Sequence, residues 1–372
     1  MRYVYLDYAA TTPVDPRVIE KMLPFFREHY GNPSSVHALG KMAKDAIESA
    51  RYDVGQLIHA EASEVIFTSG ATEANNLALK GAASLYQSKG KHIITLKTEH
   101  LSVLDTCREL EKQGFAVTYL TPEKNGILSI EKFEAALRKD TMLVSLMHVN
   151  NETGVIQDIE KIANITSQRG ILFHTDATQS VGKIALDVTK IPVDLLSFSG
   201  HKIYGPKGIG ALYLRRKPRV HVAAQLHGGG QERGIRSGTL PTHQIVGLGE
   251  ACRILKNERA ELEQHLQICR EKFLKGLHSI SFKVNGDIEK CFPGILSISF
   301  EHWKARDLVE RLKTLAFGIG SACLSKGTEP SHVLKALGLA DSQCANTIRV
   351  SFGRFTTLDE IDFAIDQFTA RG

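Results

Sequence analysis

LLSFSGHKIYGPKGIGALYL, residues 195–214, sets two apolar runs on either side of a polar turn that holds His201, Lys202 and a Gly-Pro pair. Short apolar runs bounded by turn residues read as buried strands. The same unit recurs upstream. VIFTSG (65–70), HIITLKTEH (92–100), FAVTYL (115–120), MLVSLMHVNN (142–151), ILFHTDATQ (171–179), LLSFSGHK (195–202) and GIGALYL (208–214) give seven candidate strands, with amphipathic helical segments between them. Continuous apolar runs, rather than alternation, mark strands covered on both faces, as in parallel sheets. The expectation is an α/β fold around a mostly parallel seven-stranded sheet.

Five of these units end in polar clusters: SGATE, TEH, NNETG, DATQ and SGHK. Open α/β sheets bind ligands outside the carboxyl ends of their strands, so the clusters point to one shared site. Lys202 ends an apolar strand beside Ser199 and His201, a setting suited to a Schiff-base lysine; a loop lysine in solvent is the other reading of that segment. Gly70 and Thr72 stand where a strand turns into a helix whose first amides can take an anion, although Ser-Gly-x-Thr alone is also a plain helix cap. Asp176 on a strand end, with Gln179 three residues on, can pair with a protonated heterocycle and its neighbouring hydroxyl. Pyridoxal phosphate needs this combination of lysine, acid and phosphate cup. His100, ending TEH, is placed to lie against the ring and move protons.

Beyond residue 238 the pattern changes. HQIVGLGEACRILKNERAELEQHLQICREKFLKGL forms a long helical stretch, with Leu255, Leu262, Leu266, Phe273 and Leu277 on one face. It leads into a smaller α/β part with strands at 294–300 and 347–354 and helices at 304–315, from 330, and at 357–369. The expected division is a large domain, 15–255, and a small one built from 1–14 and 256–372.

Composition excludes several classes. The chain has 372 residues, is 42% hydrophobic, and carries a net charge of +5 with its charges interleaved, so no nucleic-acid or membrane stripe stands out. MRYVYLDYAATTP lacks an apolar leader core, no run is long enough to span a bilayer, and a cytoplasmic location is expected. The six cysteines show neither a C-x-x-C pair nor zinc spacing, so thiols are expected and no metal. Five suit core or helix-face positions. Cys323 does not: GIGSACLSKGTEPSH, 318–332, surrounds it with glycine, serine and lysine. The stretch lacks the glycine before Lys326 and the Ser or Thr after it that a phosphate-binding P-loop requires.

YLDYAATTP, GNPSSVH, FTSGATEANNLAL, TEH, HVNNETGVIQDI, HTDATQSVGK, SFSGHKIYGPKGIGALY, RSGTLP, GSACLSKGTEPSHVLKALG and IRVSFGRFTT together resemble the NifS/IscS-type cysteine desulfurases. These form a class V aminotransferase branch of the fold-type I pyridoxal-phosphate enzymes. The resemblance runs from about residue 4 to about 368 and implies a role for each matching position. Lys202 holds pyridoxal 5′-phosphate, Asp176 pairs with the ring nitrogen, Gln179 with the phenolic oxygen, and His100 stacks on the ring. Ala71, Thr72, Ser199, His201 and Thr239 of the partner subunit bind phosphate in a homodimer. Asn151 and Arg354 serve the substrate end, with Arg354 on the carboxylate of L-cysteine. Cys323 takes the sulfur as a persulfide, and L-alanine leaves. The acceptor implied is an iron–sulfur scaffold or a tRNA- or cofactor-thiolating protein. Housekeeping members extend past the position matching Gly372 with a scaffold-docking tail, so both kinds of acceptor stay open. Selenocysteine lyase and a class V aminotransferase are the alternatives on the same fold.

Overall fold

The computed structural model describes residues 3–319 and 330–370. Strands β1 Val4–Tyr5, β2 Val65–Thr68, β3 His92–Leu96, β4 Ala116–Leu120, β5 Thr141–Ser145, β6 Leu172–Asp176, β7 Leu195–Ser199 and β8 Gly210–Leu214 come first along the chain. All but β1 form one sheet in the order β2-β8-β7-β6-β5-β3-β4. Pairings from β4 to β7 are parallel, while β8 runs antiparallel to both β7 and β2. The mostly parallel seven-stranded sheet is therefore present. Strands β2, β3, β5 and β7 are buried along their whole length, as continuous apolar runs covered on both faces must be. The expected strands are all shorter than their sequence runs; β3, for one, stops at Leu96, because Lys97–Glu99 turn into a helix that His100 caps through Nδ1.

The helices between strands start at identifiable signals. Asp158 caps Ile159–Gln168 by accepting from the Lys161 amide, and Ser129 caps Ile130–Ala136. Helix Ala71–Tyr86 differs: its N-cap is Gly70, which has no side chain to offer. Its opening amides therefore point off the carboxyl end of β2 without a side-chain cap.

Helix Thr242–Gly276 is 35 residues long, and from Ile245 to Phe273 it lines one continuous core. Its first half packs along helix Ala38–Leu57. In its second half Leu262, Leu266 and Phe273 are buried, and the Phe273 ring meets Phe352 and Phe368 edge-on. A second sheet lies there, antiparallel in the order β12-β13-β10-β9, with β9 Phe282–Val284, β10 Ile295–Phe300, β12 Gly318–Ile319 and β13 Thr347–Ser351. Strand β11 Leu315–Ala316 pairs in parallel with β1, which ties the N-terminal strand to this second sheet's side. Leu6 also accepts the Ser351 amide, and Asp7 bridges to Ser351. The chain then runs back across the carboxyl ends of β6 and β7, with Ala9, Ala10 and Thr12 all contacting residues there.

Candidate active site

The site forms where three things meet: the carboxyl ends of β6 and β7, the start of helix Ala71–Tyr86, and the N-terminal segment. Register aligns them, since β6 and β7 pair at Asp176 and Ser197 while Ser199 and Thr68 both pair with Gly210.

Asp176 is 4% exposed and accepts from Asn75 Nδ2 at 2.8 Å and from the Thr178 amide at 3.0 Å. Asn75 also donates to Ser102 Oγ at 2.9 Å, and Ser102 meets His100 Nδ1 at 2.8 Å. A continuous polar chain thus joins His100 to Asp176. The Ser102 amide donates to His100 Nδ1, which places the proton of the neutral ring on Nε2. Burial pushes the His100 pKa down, so the ring is neutral near pH 7.

Lys202 lies beyond the end of β7. Its Nζ donates to the Ala9 and Ala10 carbonyls at 2.6 and 2.7 Å. Burial first, and the Arg349 charge next, push its pKa down to about 8 against the pull of Asp7 and Asp176. Gln179 is buried and donates from Nε2 to the same Ala9 carbonyl at 2.9 Å. His201 is held at about 4, chiefly by burial and then by the neighbouring lysines, and its Nδ1 lies 3.1 Å from Thr11 Oγ1. Ser199 is buried beside Gly70, while Ala71 is half-buried and Thr72 exposed at the helix start.

A cleft of about 680 Å³ opens beside this cluster, lined among others by Asp7, His100, Asn151, Phe317, His332 and Arg349. Arg349, on β13, donates from Nη2 to Asp7 Oδ1 at 2.7 Å and from Nη1 to the Asn151 carbonyl at 3.0 Å. Its Nε is buried and has no partner among the described residues. Gly318 makes room for the guanidinium: a Cβ there would stand 3.1 Å from both Nε and Nη2.

The model match is to aminotransferase class-V, over residues 4–363. A cysteine desulfurase IscS of Pectobacterium carotovorum subsp. carotovorum (strain PC1) is 57% identical over 367 residues, covering 98% of this chain and 91% of the relative. The chain belongs to the IscS cysteine desulfurase family, within the class-V aminotransferases. Among solved structures, a NifS-like protein superposes with a TM-score of 0.93 at 37% identity over the whole of both chains. A protein described as SspA in complex with cysteine superposes at 0.85 and 40% identity, over 96% of this chain and all of that one.

In this desulfurase Lys202, Asp176, Gln179, His100, Ser199 and His201 lie together at the strand ends, with Asn151 across the cleft. Arg354 lies elsewhere. Its Nη1 meets Asp15 Oδ2 at 2.6 Å, its Nη2 lies 3.1 Å from Glu258 Oε2, and the guanidinium stacks 5.0 Å over Tyr204. Nη1 is hydrogen-bonded to Asp15, while Nη2 lies within ion-pair distance of Glu258 but has no hydrogen-bond partner among the described residues. Thr239 is exposed, in the segment that precedes helix Thr242–Gly276. Cys323 lies outside the described residues. Two residues at the site escaped the sequence reading. Asn75 signals itself as a polar residue on the buried face of its helix, beside Ala74, Leu77 and Ala78. Arg349 shares its strand face with Thr347 and Ser351, whereas Ile348 and Val350 point to the other face.

The cluster fits pyridoxal phosphate. Buried Asn75 Oδ1 and Thr178 Oγ1, both on residues that bond Asp176, have no partner among the described residues. A side-chain-uncapped helix start beside Ser199 and Thr72 is the anion cradle that a phosphate needs.

Proposed function

We propose that this desulfurase works with pyridoxal 5′-phosphate, held by Lys202, Asp176 and Gln179, and passes the sulfur of L-cysteine to Cys323. Support comes chiefly from one observation: a half-buried lysine with its pKa at about 8 and a buried aspartate, both at strand ends beside a helix start that no side chain caps. Ala71, Thr72, Ser199 and His201 bind the phosphate, with Thr239 of the partner subunit completing the site in a homodimer. The exposure of Thr239 in a single chain accords with that arrangement.

When bound, the cofactor supplies an electron sink for the negative charge that develops at the substrate's Cα. With its pKa at about 8, Lys202 is partly free base at neutral pH and takes the Cα proton. His100 carries a proton on Nε2 and, being neutral, can give or take it. Asn151 and Arg349 hold the substrate end, and Arg349 rather than Arg354 grips the carboxylate, because Arg349 lines the cleft with a single carboxylate partner among the described residues, whereas Arg354 is set between Asp15 and Glu258. The Cys323 thiolate attacks the substrate sulfur. The Cβ–S bond breaks with its electron pair going to carbon, an S–S bond forms on the protein, and the carbon skeleton takes up one proton at Cβ and regains the Cα proton from Lys202 to leave as L-alanine. The persulfide then goes to an acceptor protein, an iron–sulfur scaffold or a tRNA- or cofactor-thiolating enzyme, in the cytoplasm. No helix among the described residues is long and apolar enough to cross a membrane. The selenocysteine-lyase and aminotransferase alternatives are not favoured beside relatives this similar.

Alanine and sulfide formed from L-cysteine, measured with the absorption spectrum, test this reading. Cys323→Ala should keep the visible band of the bound cofactor and lose desulfurase turnover. Lys202→Ala should lose the band. Full turnover in Cys323→Ala would sink the assignment of the sulfur acceptor.

A further inference from the structure

Lys183 is a second lysine at this site, more deeply buried than Lys202. It is 7% exposed, lies four residues after Gln179, and donates from Nζ to Gln179 Oε1 at 3.0 Å. The turn that brings it back under Gln179 needs Gly182, whose φ is +72° and whose Cβ would press within 2.7 Å of Leu255. A cavity of about 10 Å³, room for at most one water, adjoins the amine. Tyr8, Thr12, Tyr204, Leu266, Phe292 and Phe352 line it, and the Phe292 ring lies 5.7 Å from Nζ. Among the described residues no carboxylate pairs with this lysine. Burial and the nearby Lys202 charge accordingly push its pKa down to about 7. The other titratable groups on the cavity wall, the Tyr8 and Tyr204 hydroxyls, are pushed upward by burial and stay neutral.

We propose that Lys183 is a positioning residue that fixes which end of the Gln179 amide faces the reacting centre. Ala9 O accepts only, so Gln179 Nε2 must face it; Lys183 donates, so Oε1 must face Nζ. The two contacts agree, and they hold the Gln179 N–H group toward the Ala9 carbonyl that Lys202 also uses. Removing Lys183 leaves Oε1 buried without a donor and the amide held only at its Nε2 end. Resting on the reading above, in which Gln179 donates to the phenolic oxygen of the cofactor, Lys183 then controls that donor. An N–H donated to the ring oxygen spreads its negative charge and so loosens the proton on the neighbouring Schiff-base nitrogen.

The test uses holoenzyme and follows the visible absorption of the bound cofactor from pH 6 to 10, with melting temperature alongside. Lys183→Met should move the spectral midpoint upward by roughly one pH unit, a tenfold change in proton affinity. Its melting temperature should be unchanged or higher, because a buried amine without a carboxylate has been replaced by an apolar chain of similar length. In a Gln179→Ala background the same change should move the midpoint no further. A lower melting temperature with an unmoved midpoint would make Lys183 a packing residue only and overturn the proposal. So would an equal shift in the Gln179→Ala background. If Lys183→Met does not fold, Lys183→Gln, which keeps a polar group in the cavity, carries the same measurement. A wild type with no titrating visible band removes the pyridoxal reading, and this inference with it.

Discussion

Arg349 sits within β13 and Arg354 three residues past its end, yet they stand in opposite kinds of surroundings. Arg349 meets one carboxylate and one backbone carbonyl, and its Nε, like Arg354 Nη2, has no hydrogen-bond partner among the described residues. Arg354 joins a closed group of two acids and two bases, in which Asp15 and Glu258 are shared with Arg17. Only 12% of its side chain is exposed, against 17% for Arg349, so burial alone hardly separates them. What separates them is that Arg354 faces two carboxylates, whereas Arg349 faces one and lines the cleft. A guanidinium surrounded by carboxylates completes a structural balance, whereas one beside a cleft with a single carboxylate partner can grip a ligand.

The sharpest way to break this comparison is to remove Arg349. Arg349→Ala should lower kcat/KM for L-cysteine by about 100-fold or more, because a charge-assisted contact to the substrate carboxylate is worth about 2–5 kcal/mol. Much of the loss should appear in KM. Steady-state alanine production checks it. If Arg354→Ala showed the larger loss at equal folded fraction, the assignment of the two arginines would be reversed.

These two residues also mark where the sequence is legible and where it is not. Lys202, Asp176 and His100 can be read from it because each ends or follows an apolar strand, and a parallel sheet collects its carboxyl ends on one side. IRVSFGR holds two arginines, and choosing between them needs facts that lie far away in the chain. Asp7, which meets Arg349, comes from the N-terminal segment; Glu258, which meets Arg354, comes from the long helix. Strand alternation offered a local clue, since Arg349 shares a face with Thr347 and Ser351, but period-two logic stops where β13 ends at Ser351. Arg354 lies past that end, where the path of the chain follows from Tyr204, whose hydroxyl meets the Arg354 amide. Lys183 is a similar case. A lysine after a glycine in a turn reads as solvated, and residues far along the chain, among them Phe292 from the loop before β10, close over it.

Arg354→Ala should act on stability instead. It leaves Asp15, 2% exposed, with Arg17 as its remaining cation, and it bares the face of Tyr204. A loss of about 2 kcal/mol is expected, below the range for a buried pair stripped of its only partner, since Arg17 stays. Urea unfolding of the two variants side by side checks this. Arg349→Ala, at the cleft, should cost less.

The smallest effect concerns acid, and it separates the arginines by the carboxylates they serve. Asp15 is held down to about 2, first by the Arg17 side-chain bond, then by the Arg17 amide and the Arg354 bond, against the cost of burial. A carboxyl whose pKa is lower in the folded chain than in the unfolded one gives stability that is fully present above about pH 4 and is lost as pH falls through about 2. Removing Arg354 raises the folded value part of the way back, so the stabilisation is smaller and its loss begins at higher pH. The difference in unfolding free energy between wild type and Arg354→Ala should therefore narrow, by about 1 kcal/mol or less, between pH 5 and pH 2. Protonated Asp15 has little charge left for Arg354 to answer. Unfolding midpoints at four or five pH values in that range would show the narrowing. A difference that stays constant to pH 2 would mean that Arg354 stabilises the fold through its stacking on Tyr204 rather than through Asp15.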